Sequence, residues 1–143
     1  MKTRSLLVLM LLGVSLVSGW GADDLKPSEV QIKEALRNVI NAQLNAFRKD
    51  DYAGAYYFSD LEFRHQCSLE RFERMVKIGY PAIAHSTSFR CGLSFDNGDE
   101  AVINVRVFSD GREPIDYQYL MRKDGETWRV TSVTLLKDQT TEV

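Results

Sequence analysis

The sequence predicts an α+β domain in which three helices precede a four-stranded antiparallel meander, all behind an N-terminal targeting segment. Three observations carry this. The first twenty residues combine a positive start with one apolar run. Apolar residues between Ile32 and Tyr80 recur at helical spacing. Beyond Ser88 the period falls to two, and three Asx-Gly pairs punctuate the alternation.

Lys2 and Arg4 open the chain, and Leu6 to Val17 is almost wholly apolar. A dozen apolar residues suit a signal-peptide core and are short for a bilayer of ~30 Å. Val17 and Gly19 fit the small-residue positions of a cleavage site, so residues 1–19 are expected to be removed; Gly19 and Gly21 would serve as well, and an uncleaved membrane anchor is the alternative. Cleavage would leave an exported domain, periplasmic or extracellular, with no membrane attachment. Residues 20–27 are read as a linker, 28–137 as the domain and 138–143 as a polar tail.

Charge narrows the function classes. The chain of 143 residues has 18 basic and 20 acidic side chains, a net charge of -2. Loss of Lys2 and Arg4 leaves 16 basic against 20 acidic. A mildly acidic domain lacks the electrostatic attraction that nucleic acids and anionic lipids require. No catalytic triad, phosphate loop or cofactor motif stands out, so no cofactor and no catalytic residue are expected.

Ser28 is read as the cap of the first helix, with Glu29 in its first turn. Ile32, Leu36, Val39, Ile40, Leu44 and Phe47 form its apolar stripe over about twenty residues. Asp50 and Asp51 stop it and cap a second helix through Tyr56, Tyr57 and Phe58. Ser59 to Gln66 reads as loop or a short extended piece. Ser68 caps a third helix with Leu69, Phe72, Val76 and Tyr80 on its apolar face, closed by Gly79 and Pro81.

Phe89, Cys91, Leu93 and Phe95 then alternate with polar residues in a first strand. Asn97-Gly98, Asp110-Gly111 and Asp124-Gly125 are hairpin signals. Between them, Ala101, Ile103, Val105 and Val107 predict the inward face of a second strand. Ile115, Tyr117, Tyr119 and Met121 predict that of a third. Trp128, Val130 and Ser132 predict that of a fourth.

Cys67 and Cys91 are the two cysteines, and in an exported protein an even pair suggests a disulfide. The bond would close a loop of 25 residues and contribute roughly 3 kcal/mol. His65 and His85 complete a zinc-like set with them, but no CxxC or HxxxH spacing supports a metal site.

The segments Val39 to Asp51 (VINAQLNAFRKDD), Phe72 to Pro81 (FERMVKIGYP) and Trp128-Arg129-Val130 carry a resemblance. Together with the helix-then-meander order, they make the chain similar to the cone-shaped superfamily named after nuclear transport factor two, a cystatin-like architecture. Within it the chain most resembles the uncharacterised bacterial family known as domain of unknown function 4864. The resemblance covers most of the mature chain and implies a curved sheet wrapped around a pocket, with no assigned activity. The cysteine pair departs from the family pattern.

Against that frame, Gln43, Tyr80, His85, Tyr117, Tyr119 and Trp128 are the pocket candidates. Buried tyrosine hydroxyls can donate to a ligand or stabilise a developing oxyanion. They are also ordinary core aromatics when their hydroxyls find partners. Gln43, at the edge of an apolar stripe, either orients a ligand or bonds main chain at the end of a strand. Three consecutive aromatics, Tyr56 to Phe58, cannot share one helical face, which hints at self-association. The expected function is non-enzymatic binding of a small apolar ligand or of a protein partner, including a homodimer through the sheet. A pocket isomerase or hydro-lyase using Tyr and His groups, and a structural partner in the cell envelope, are the alternatives.

Overall fold

The computed structural model describes residues 24–136, so the expected targeting segment, its expected cleavage site and the polar tail lie outside the described residues. The fold is α+β. A five-stranded antiparallel sheet runs β1 (Lys26–Pro27), β2 (Ser86–Asp96), β3 (Glu100–Ser109), β4 (Ile115–Asp124) and β5 (Thr127–Leu135) in spatial order. The helices are α1 (Val30–Arg48), α2 (Tyr52–Tyr57), α3 (Leu61–Gln66), α4 (Leu69–Gly79) and α5 (Pro81–Ala84).

The long helix follows from its stripe. Leu36, Ile40, Gln43, Leu44 and Phe47 on α1 are buried at spacings of three and four. Its cap corrects the expectation: Glu29, with extended backbone and no side-chain bond, takes the capping position in place of Ser28. The main-chain N–H of Ser28 instead donates to Ser94 O at 3.0 Å, which ties this residue to the sheet. Asp50 ends α1 in the left-handed region at φ 59, a conformation that Asp tolerates better than most side chains. Asp51 then caps α2 by accepting from Gly54 N at 2.9 Å, and Ser68 caps α4 by accepting from Arg71 N at 3.2 Å.

Among the described residues the three expected helices become five. Leu61–Gln66 is helical, not loop, because Asp60 caps it and accepts from Phe63 N at 2.8 Å. The extended piece is shorter than expected and lies at Ser59, which forms a parallel bridge with Val130. Pro81, expected to end the third helix, opens the one-turn α5, since its missing N–H costs nothing at a first helical position. The sheet also gains β1 from the predicted linker, paired antiparallel with Phe95 and Asp96.

On β3 and β4 the alternation holds. Ala101, Ile103, Val105 and Val107 are buried beside Tyr117, Tyr119 and Met121, facing α1 residues in a single core cluster. Ile103 pairs with Tyr119 and Val105 with Tyr117. Gly98, Gly111 and Gly125 all take positive φ at the three hairpins, as the Asx-Gly pairs predict.

On the flanking strands the register shifts three times, between Ser86 and Ser88 and between Cys91 and Ser94 on β2 and opposite Leu120 and Met121 on β5, and the last two displace residues read as inward. On β2, Cys91 pairs with Val105 and Ser94 with Ile103, so Gly92 and Leu93 together oppose Asn104. The extra residue turns Leu93 out to 69% exposure, sets Phe95 opposite Val102 on the outer face and brings Ser94 inward, against the expectation for Leu93 and Phe95. On β5, Thr131 is extra between the pairs Met121–Val130 and Leu120–Ser132. Ser132 consequently faces out, and Val133 takes its expected place in the core.

Candidate functional site

Tyr80, at the junction of α4 and α5, packs against the inner face of β4 and β5 beside Tyr117 and near Tyr119. The Tyr80 and Tyr117 rings lie 6.0 Å apart between centroids. The Tyr80 hydroxyl donates to Val133 O at 2.9 Å, and Val133 pairs with Tyr119 across the sheet. Tyr117 is buried, and Tyr119 is fully enclosed at 0% exposure.

The Tyr119 hydroxyl has no hydrogen-bond partner among the described residues. Burial pushes its pKa far above the ordinary tyrosine value, and Tyr117, Cys91 and Tyr80 add to the shift. Burial likewise raises Tyr80 and, with Tyr80 beside it, Tyr117. Phenols so placed stay neutral, and act as hydrogen-bond donors and not as bases. Cys91 adjoins this group from β2. Burial raises its thiol pKa, and the positive charges of Arg37 and Lys33 on α1 oppose that shift.

The other candidates stand apart from this group or are satisfied in the core. Gln43 is buried and its Nε2 donates to Ala55 O at 3.1 Å, so its amide joins α1 to α2. The bond to main chain anticipated from sequence is thus made to a helix and not to a strand end. Trp128 is buried on β5, with the Lys123 ammonium 5.9 Å from its ring. His85 is exposed at the end of α5, and its main-chain N–H donates to Pro81 O.

Cys67 and Cys91 are free thiols, contrary to the expected disulfide. Cys67 terminates α3, where its carbonyl accepts from the Tyr56 hydroxyl at 2.6 Å. Cys91 sits opposite Val105 within the sheet. The helical and sheet frames hold the two residues on different elements. The zinc-like set is not assembled either: among the described residues no three His, Cys, Asp or Glu side chains form a metal-binding group.

Two polar groupings escaped the sequence reading. Asp60, buried beneath α3, accepts from Phe63 N, from the Thr131 hydroxyl at 3.1 Å and from Arg122 Nη1 at 3.3 Å. The aspartate was legible as a cap, whereas its partners come from strands 62 and 71 residues away. Tyr57 is 55% exposed, as one of three successive aromatics must be. The chain itself shields part of the ring, with the Arg129 guanidinium 4.6 Å and that of Arg64 5.7 Å from its centre. The Arg129 guanidinium, which also donates to the Tyr57 main-chain carbonyl at 2.6 Å, holds the Tyr57 pKa below the usual value.

No helix among the described residues is long and apolar enough to cross a membrane. Comparisons with curated proteins and with solved structures find no match. The family model of the Domain of unknown function (DUF4864) matches residues 29–143, the larger part of the chain, and the chain belongs to that family.

Proposed function

We propose that this chain is an exported, non-catalytic binding domain of the cone-fold superfamily named after nuclear transport factor two. Its inner tyrosine group receives a small, largely apolar molecule. The observation that carries the reading is the Tyr119 hydroxyl, fully buried and without a partner among the described residues. Leaving such a group unpaired costs about 1–3 kcal/mol, so a native interior that keeps a tyrosine there, and not a phenylalanine, has a use for the donor. Neutral phenols without a paired acid or base favour binding over proton transfer. Export is supported by Lys2, Arg4 and the apolar run to Val17.

Native mass spectrometry on the protein secreted from a bacterial host tests the whole reading. The expected spectrum is that of a chain shortened by about nineteen residues that carries an additional small-molecule mass. A full-length chain argues against export. A cleaved chain that is bare, and stays bare after incubation with lipid extract, argues against the ligand.

A second reading has its own observation. On the outer sheet face Phe95, Val102 and Leu120 lie in one cross-strand row, and Leu93 stands beside them at 69% exposure. Such a patch suits a protein partner or a second copy of the chain. Light scattering across a concentration series tests the second copy, with a dimer mass expected and a constant monomer mass counting against it.

A further inference from the structure

The donors around the inner tyrosine group are not equivalent. Tyr80 spends its proton on Val133 O. Tyr119 remains with a proton and no acceptor. Its ring lies on the row Ser94–Ile103–Tyr119–Val133, in one core cluster with Leu36 and Ile40 of α1. The surroundings are therefore apolar apart from neutral groups: the phenols of Tyr80 and Tyr117, the Cys91 thiol and the Ser94 hydroxyl.

That composition selects among ligands. An anion brought against Tyr119 would lose its hydration and gain one neutral donor, while the cations Lys33 and Arg37 lie at the half-buried or exposed surface. Burying an uncompensated charge costs far more than one hydrogen bond returns. A cation gains nothing from a donor. A pure hydrocarbon fills space but leaves the hydroxyl unpaired. A neutral molecule with a single carbonyl or ether oxygen satisfies the hydroxyl and buries the rest of its surface against aliphatic groups.

Resting on the ligand reading above, we infer that Tyr119 is the specificity-determining residue, and that the ligand class is a neutral, mostly apolar molecule with one hydrogen-bond acceptor. Cys91, half-buried beside the group, lies at the edge of this site.

The test uses the mature protein and two probes of nearly the same shape, 2-acetylnaphthalene and 2-ethylnaphthalene, titrated by probe fluorescence. Wild type should prefer the ketone by roughly three- to tenfold, the worth of one buried hydrogen bond. Tyr119→Phe should bind the hydrocarbon as before and lose the preference. The ketone should also slow iodoacetamide labelling of Cys91 and leave that of Cys67 unchanged, as read by peptide mass spectrometry. Equal binding of both probes by wild type overturns the inference, as does a ketone preference that survives in Tyr119→Phe, and either outcome leaves the ligand reading standing. If neither probe binds, the ligand reading fails and the inference falls with it.

Discussion

The Thr131 hydroxyl donates to Asp60 Oδ2 at 3.1 Å, and the residue that makes this bond is the one inserted into β5 as a bulge. Around it Val130 is bonded on its outer edge, since its N–H donates to Phe58 O at 2.8 Å and its carbonyl accepts from Asp60 N at 2.9 Å. Residues 58–60 thus cover part of the edge of β5, where unpaired main-chain groups would invite other strands. The bulge, the cap of α3 and the edge cover form one structural unit.

Asp60→Ala removes the acceptor for a helix N-terminus, a hydroxyl and a guanidinium together. We expect a loss of about 2–4 kcal/mol in urea unfolding, well above a typical capping loss of about 1 kcal/mol. Asp60→Asn keeps an oxygen for Phe63 N but removes the charge facing Arg122, and should fall between. Equal stability of wild type and Asp60→Ala would mean that the unit is not cooperative.

Gln43→Leu separates a structural from a ligand-orienting role. The Ala55 carbonyl accepts from Phe58 N as well as from Gln43, so the substitution strands no acceptor. A cost of about 1 kcal/mol is expected, with probe binding unchanged. A large drop in probe affinity at nearly unchanged stability would move Gln43 into the site.

How far the sequence reached is clearest in comparing β3 with its neighbours. Ala101 to Val107 and Tyr117 to Met121 keep strict alternation because β3 and β4 are paired without interruption, so their inward residues could be read directly. Leu93 and Ser132 could not, because each bulge depends on residues far away in the chain, Ser28 and Asn104 for one and Asp60 for the other. A two-residue β1 leaves no period to detect. The short α3 offered only Asp60 as a signal. In the site, the inward placing of Tyr117 and Tyr119 was legible from period two. The lack of an acceptor for Tyr119 was not, since it is a property of the packed interior.

The Arg106–Asp116 pair predicts a pH effect of definite sign. Arg106 donates to both carboxylate oxygens, at 2.7 and 3.0 Å, and this bonding holds the Asp116 pKa below the usual carboxylate value. A carboxylate depressed on folding stabilises the protein above its unfolded pKa of about 3.9 and loses that contribution as pH falls through the lower folded value. The melting-temperature gap between wild type and Asp116→Asn should therefore be open at neutral pH and close in the acid range. Both groups are substantially exposed, so the gap should be small and shrink with added salt. A gap that widens in acid contradicts the assignment.

Leu93→Ser tests the outer patch. Because the bulge already places this side chain in water, stability should change by less than about 0.5 kcal/mol. If the chain self-associates through this face, the same substitution should lower the dimer fraction in light scattering. Unchanged association would remove Leu93 from the interface, and a large stability loss would contradict its exposed position.

Tyr119→Phe in the ligand-free protein is expected to do what few core substitutions do. It deletes a hydroxyl that is enclosed without a partner among the described residues and leaves the ring packing intact. Removal of an unpaired buried polar group should raise stability by about 1 kcal/mol. Most substitutions destabilise, so a gain at a wholly buried position identifies a residue kept for something other than folding. If Tyr119→Phe instead costs about 1 kcal/mol or more, the hydroxyl is satisfied in solution by a bound water. Its role would then be structural.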